Sequence, residues 1–349
     1  MKLVRGNEAV IYGALLAGCQ SYYGYPITPA SEIAHTAAYY FPQLGRTFLQ
    51  AESELAAINM VYGASAAGER TMTASSGPGI SLKSEGLSYL AGAELPAVVV
   101  NVMRAGPGLG NIGPEQSDYN QMVKGGGHGN YRLIVLAPYS AQEMCDMTIL
   151  AFELADRYRT PVAVLADGVI GQMMEAVRFP KPCDTSPAKP WAVRGDAATR
   201  PNCLTSIYLD FDSLEAHNRR LIMKFAEIEA REQRWQGYML DDAEVAIVAY
   251  GVTSREAKSV CESLRADGIK AGLFRPKTLW PFPKEGLCEI AERVPKIFVA
   301  ELSMGMLIDD VRLALNDGRR LGFAANYGGK LIRGDALRNA VVEFVKGQQ

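Results

Sequence analysis

The chain has 349 residues, about twice a common domain length, and 48% are hydrophobic against 21% charged, which excludes a disordered, collagen-like or coiled-coil protein. With 36 Lys and Arg against 38 Asp and Glu, the net charge of −2 provides no strong field for a nucleic-acid backbone or an anionic membrane. No apolar run reaches the ~20 residues that cross a bilayer, and MKLVRGNEAV lacks the apolar core of a secretion signal, so a cytoplasmic location is the expectation.

The first motif is GYPITP, Gly24–Pro29, in which two prolines fix the backbone and Thr28 is placed to cap a helix beginning at Pro29. A ligand role for the Thr28 hydroxyl stands beside that structural explanation. Between Ala51 and Ala67, Leu55, Ile58, Val61 and Tyr62 recur every three to four residues until Gly68 stops the pattern, which predicts a helix. Glu54 shares a stripe with Ile58 and Val61, while Glu52 lies on another face. A carboxylate on an apolar stripe must be hydrogen-bonded or protonated; the plainer reading is a first-turn glutamate favoured by the helix dipole.

Four apolar runs, Arg70–Ala74, Ala97–Met103, Leu133–Ala137 and Pro161–Ala166, alternate with helix-length segments and predict a parallel sheet. Ser75-Ser76-Gly77-Pro78-Gly79 follows the first run on a strand-to-helix loop, where open α/β sheets bind ligands; a tight connection needing glycine is the alternative. Arg104 ends the second run, where a guanidinium can hold a carboxylate bidentately, or serve as a surface arginine. Gly108, Gly110 and Gly113 match GxGxxG, but the next strand ends in Ala137-Pro138 instead of the acidic residue a dinucleotide ribose needs, so a flexible loop is the expectation. Lys124 and His128 border a glycine-rich stretch and read as a solvated loop. Ser140 and Glu143 stand at capping-box spacing at the head of a helix over Ser140–Tyr158.

Five prolines between Phe179 and Pro201 predict a linker. Phe211–Trp235 predicts one long amphipathic helix bracing the two halves or a partner. From Glu244 a second alternating unit begins: strand Val245–Tyr250, helix Ser254–Asp267, strand Lys296–Glu301. Cys19, Cys145, Cys183, Cys203, Cys261 and Cys288 are scattered without a CxxC pair, which predicts buried reduced thiols and no iron–sulfur cluster or zinc on this chain.

Together, GYPITP, AESELAAINMVYGAS (Ala51–Ser65), SSGPGISLKSEG (Ser75–Gly86), KGGGHGNY (Lys124–Tyr131) and RPKTLWPFP (Arg275–Pro283) resemble the alpha subunit of the 2-oxoacid:ferredoxin oxidoreductases, most nearly the branched-chain, 2-oxoisovalerate type. The resemblance covers nearly the whole chain. It implies an α/β fold with a parallel-sheet domain of the thiamine diphosphate pyrimidine type over 1–178, a linker and long helix over 179–242, and a smaller transketolase-C-terminal-like α/β domain over 243–349. It also implies that Glu54 hydrogen-bonds a pyrimidine nitrogen of thiamine diphosphate, favouring the imino form that removes the thiazolium proton, a role that burial assists by raising the carboxyl pKa. Thr28 and Arg104 are then contacts of the substrate carboxylate, and Pro26, Ile27, Thr28 and Ser76 join Glu54 around the cofactor.

The same resemblance implies oxidative decarboxylation of a 2-oxoacid to its acyl-coenzyme A with reduction of ferredoxin. A Gly-Asp-Gly diphosphate motif and cluster cysteines are missing from the sequence. A beta subunit is therefore expected to carry magnesium and the diphosphate site, a ferredoxin-like subunit the iron–sulfur clusters, with a gamma subunit in addition. Gly305-Met306-Leu307 stands where many relatives have Gly-Gln-Met. The alternatives are an aryl or other 2-oxoacid, a non-catalytic scaffold subunit of the same fold, and a free-standing dinucleotide enzyme.

Overall fold

The computed structural model describes residues 1–182 and 186–347. The four apolar runs form the strands Thr71–Ser75, Ala97–Met103, Ile134–Leu136 and Pro161–Asp167. They lie in a seven-stranded sheet ordered Thr278–Trp280, Ile134–Leu136, Pro161–Asp167, Ala97–Met103, Thr71–Ser75, Ser21–Gly24, Thr47–Gln50. Every pairing is parallel except that of Thr278–Trp280. Ala97–Met103 and Pro161–Asp167 are buried at every position, as strands covered on both faces must be. A second sheet, ordered Leu321–Ala325, Lys296–Glu301, Val245–Val248, Ala271–Pro276, Trp235–Tyr238, is parallel apart from its last strand. Lys2–Arg5 pairs separately with Met174–Val177.

Several helix boundaries move for local reasons. The helix predicted over Ala51–Ala67 runs from Glu54 to Ala66, because Ser53 caps it by accepting from the Ala56 N–H at 3.1 Å. Thr28 caps nothing: the helix begins at Ser31, and the Ala30 N–H that such a cap needs is bonded to the Ile27 carbonyl at 2.9 Å. Ser140 does cap its helix through the Glu143 N–H, but the Glu143 carboxylate bonds Arg275 and the Tyr139 N–H rather than closing the box on Ser140. The long helix spans Phe211–Arg231, and Trp235 opens a strand instead of ending that helix. It braces both halves, with Lys224 paired to Glu94 at 2.7 Å and Phe225 edge-on to Trp280. Among the described residues of 179–201 there is neither helix nor strand.

The halves are interlocked by buried polar groups. Gln116 donates to the Tyr250 carbonyl and accepts from the Leu302 N–H, and Asp167 accepts from the Val252 N–H. Arg275, 1% exposed, forks onto Glu143 with two bonds of 2.8 Å and lies 4.0 Å above the Tyr139 ring. Arg275→Ala strands the Glu143 carboxylate and is expected to cost about 3 kcal/mol by denaturant unfolding; Lys277, 3.2 Å from Glu143, keeps the loss at the low end of the range for a broken buried pair. A variant within about 0.5 kcal/mol of the parent, the size of an ordinary surface substitution, would remove this pair from the fold's support.

All five cysteines among the described residues are free thiols; Cys183 lies outside those residues. Burial pushes Cys19, Cys145 and Cys261 up to about 12. The expectation of buried thiols fails at Cys203, which is exposed, and Cys288 is half-buried.

Candidate active site

Four neighbouring parallel strands deliver the candidate residues to one edge of the first sheet. Arg104 follows Ala97–Met103, Ser76 follows Thr71–Ser75, Pro26 to Thr28 follow Ser21–Gly24, and Glu54 follows Thr47–Gln50. Ligands of such sheets sit outside the carboxyl ends of the strands.

Glu54 is 6% exposed and opens its helix, with Ile58 and Val61 buried on the same stripe. Space for its carboxylate is set by Gly79. A Cβ at position 79 would stand 2.5 Å from Glu54 Oε1 and 2.2 Å from Ser75 Oγ. The hydroxyls of Ser75 and Ser76 are both buried without a hydrogen-bond partner, and Ser75 Oγ keeps its donor and acceptor capacity beside Glu54.

Arg104 is 8% exposed and lies along Gly77, whose φ of +39° only glycine adopts freely. Its Nη1 donates to the Thr28 carbonyl at 3.1 Å and its Nη2 to the Leu109 carbonyl at 3.0 Å, while Nε–H is buried and unpartnered. The guanidinium is therefore fixed by backbone and keeps further N–H donors. The structure joins Thr28 to Arg104 through the Thr28 carbonyl and leaves the Thr28 side chain exposed. Pro26 is exposed and Ile27 half-buried.

A cavity of about 610 Å³ opens beside Arg104, between the start of helix Gly77–Gly92 and the loop Ser303–Met306 of the second half. Asp118 lines it, accepting from Asn101 Nδ2 at 3.0 Å and from the Gly77 N–H; burial nevertheless pushes its carboxyl above the ordinary range. Glu115 is committed to the N–H groups of Gly106 and Gly328. The GxGxxG stretch is a loop, as expected, closed by backbone bonds of Ala105 with Asn111 and Gly113. The helical element that follows it is the single turn Gln121–Gly125. Lys124 is solvent-exposed, as expected, but it lies in that turn and pairs with Asp310, which also accepts from the Tyr119 hydroxyl. His128 is exposed, and its carbonyl accepts from the Ser88 hydroxyl.

Gly305, with φ +99°, turns the chain into helix Met306–Leu315, whose first N–H groups, from Leu307 and Ile308, donate to Glu301. The motif departure at 305–307 therefore builds a helix start, with Leu307 in the core and Met306 on the cavity. Lys83 and Asp118 escaped the sequence reading, and Gly79 entered it only as part of the strand-to-helix glycine loop. Lys83, fully buried one turn after Gly79, carried a legible signal, a lysine on the stripe of Ile80 and Leu87.

Residues 12–226 match the thiamine diphosphate-binding model of the pyruvate flavodoxin/ferredoxin oxidoreductases, and 243–337 match core domain II of pyruvate:ferredoxin oxidoreductase. The fold and the site thus define a thiamine diphosphate-binding oxidoreductase component: the chain belongs to the 2-oxoacid:ferredoxin oxidoreductase family, enzymes built from several subunits. It is 60% identical over 332 residues to ketoisovalerate oxidoreductase subunit VorB of Methanothermobacter marburgensis, covering 95% of this chain and 94% of that one. It is 38% identical to 2-oxoglutarate synthase subunit KorA of Archaeoglobus fulgidus, over 100% and 99% of the two chains.

Among solved structures, 2-oxoglutarate:ferredoxin oxidoreductase from Magnetococcus marinus, with 2-oxoglutarate, coenzyme A and succinyl-CoA bound, aligns at TM-score 0.89 and 29% identity. The match covers 98% of this chain and spans 65% of that one. An inactive split-gene transketolase tetramer aligns at TM-score 0.60 and 16% identity over 99% of each chain, a likeness of fold alone.

Proposed function

We propose that this chain receives the aminopyrimidine half of thiamine diphosphate in an enzyme that oxidatively decarboxylates a branched-chain 2-oxoacid to its acyl-coenzyme A and reduces ferredoxin. The observation that carries the reading is Glu54, a carboxylate enclosed at a helix start, with Gly79 clearing its place and the unpartnered Ser75 hydroxyl beside it. Those residues fit the polar edge of a pyrimidine: Glu54 Oε holds or gives a proton at the ring nitrogen, and Ser76 with the Pro26–Thr28 turn frames the ring. Bound thiamine diphosphate supplies the nucleophilic carbon and the electron sink for decarboxylation.

Arg104, fixed by two backbone carbonyls, orients the oxoacid carboxylate with its remaining N–H donors, and the Thr28 hydroxyl adds a neutral contact. Magnesium and the diphosphate belong on a beta subunit, the iron–sulfur clusters on a ferredoxin-like subunit, with a gamma subunit completing a cytoplasmic assembly. Among the described residues no helix is long and apolar enough to cross a membrane.

Branched-chain selectivity is supported by the 60% identity to the ketoisovalerate subunit and by the cavity wall, where Pro78, Pro107, Met304 and Met306 offer hydrocarbon. The Glu115 and Asp118 carboxyls on the same wall repel the second carboxylate of a dicarboxylic oxoacid. With the assembled complex, kcat/KM for 3-methyl-2-oxobutanoate is expected to exceed that for 2-oxoglutarate by at least ~10²-fold, and that for 2-oxobutanoate by ~10-fold, since one methylene is worth ~1–3 kcal/mol. Preference for the dicarboxylate or an aryl oxoacid would refute the substrate. No oxoacid-dependent ferredoxin reduction by an intact complex would point to a scaffold subunit instead.

A further inference from the structure

We propose that Lys83 is a positioning residue for this reaction: its buried ammonium holds Glu54 in the ionised form that remains once Glu54 has given its proton to the ring nitrogen. The inference rests on the thiamine reading of Glu54 and goes beyond it by assigning what sets that group's charge.

Lys83 lies on helix Gly77–Gly92 and is 0% exposed, with Nζ enclosed and without a hydrogen-bond partner. The helix packs against Glu54–Ala66 along a seam of close approaches: Gly79 makes room for the Glu54 carboxylate, and Gly86 lies where a Cβ would stand 2.5 Å from Ile58. Lys83 sits between these two glycines on that stripe. Among the described residues, Glu54 is the charged group that acts on Lys83.

Ser75 Oγ on the same seam is unpartnered but uncharged, and other polar groups of the candidate site are committed elsewhere. The Tyr22 hydroxyl oxygen accepts from the Ala74 N–H, Arg104 holds Thr28 and Leu109, and Asp118 holds Asn101 and Gly77. Burial pushes the Lys83 ammonium down to about 8, which leaves it charged at neutral pH. A buried ammonium with no hydrogen bond is a net cost to folding that hydrocarbon of the same shape avoids. Its function is therefore electrostatic. When the proton passes from Glu54 Oε to the pyrimidine nitrogen, the carboxylate left behind faces Lys83; when the proton returns, the starting state is restored. No oxidant or further reactant enters.

The test compares Lys83→Met, Lys83→Gln and Glu54→Gln in the assembled complex loaded with thiamine diphosphate. The near-ultraviolet circular dichroism of the bound aminopyrimidine, titrated with pH in the absence of oxoacid, is expected to shift its midpoint upward by about one unit or more in both Lys83 variants, because an attractive charge has been removed from the carboxylate. The acid limb of kcat/KM is expected to move with it, and the melting temperature of Lys83→Met to equal or exceed that of the parent. Lys83→Gln keeps hydrogen bonding without charge, so a parental midpoint in that variant overturns the proposal; so does failure of both variants to fold, which would mark a packing role. Glu54→Gln separates the two readings. If it is parental, the thiamine reading itself fails; if it is impaired while both Lys83 variants keep the parental midpoint, only the role of Lys83 fails.

Discussion

Glu54→Gln in the assembled enzyme is expected to lower oxoacid-dependent ferredoxin reduction by about 10²–10⁴-fold, the usual worth of a positioned proton-transfer group. Glutamine matches the shape of glutamate and can still hydrogen-bond a ring nitrogen, so thiamine diphosphate should bind and the subunits should assemble. What glutamine lacks is a proton to exchange at that atom. Glu54 is 6% exposed and its carboxylate lies against the helix beginning at Gly77, so water is poorly placed to substitute. Steady-state reduction of ferredoxin, with cofactor occupancy measured on the same preparation, decides the matter; an unchanged rate at full occupancy would reject Glu54 as the proton-handling group.

Gly79→Ala should be nearly as damaging, for a geometric reason. The added Cβ meets Ser75 Oγ and Glu54 Oε1 inside contact distance, and both are ends of rotatable side chains rather than backbone. The protein should therefore fold, relieving the overlap by swinging the Glu54 carboxylate away. A displacement near 1 Å at a reacting group costs on the order of 10²-fold in rate. The expected result is a folded complex with a near-parental melting temperature and kcat/KM reduced by about that factor. Parental kinetics would mean that the carboxylate has room to spare, contrary to the packing around it.

Part of this was legible in the sequence because four of the first sheet's seven strands fall on apolar runs and two of the helices between them, Glu54–Ala66 and Ala141–Tyr158, repeat their apolar residues every three to four positions. Glu54 was legible for the same reason: a charge at a position whose neighbours one and two turns on, Ile58 and Val61, are fully buried. The strand Thr278–Trp280 was not, since three residues carry no period and their partner, Ile134–Leu136, lies some 140 positions earlier in the chain. The pairing of Lys124 with Asp310 was hidden likewise, the two standing 186 residues apart. Thr28 failed as a cap because the competing acceptor, the Ile27 carbonyl, is a backbone atom that composition does not display. The fixing of Arg104 by two carbonyls is equally invisible to side-chain pattern, although its place at the end of a strand was not.

The strand contributed by Thr278–Trp280 has a practical consequence for anyone wishing to study the halves apart. Cutting the chain in the proline-rich connector would strip that strand from Ile134–Leu136, baring an apolar, hydrogen-bond-hungry margin, and would orphan Glu143 at the same stroke. Each piece would then be prone to clump. Co-production of both pieces, so that one heals the other's raw side, is the route by which this polypeptide can be taken apart and still be handled.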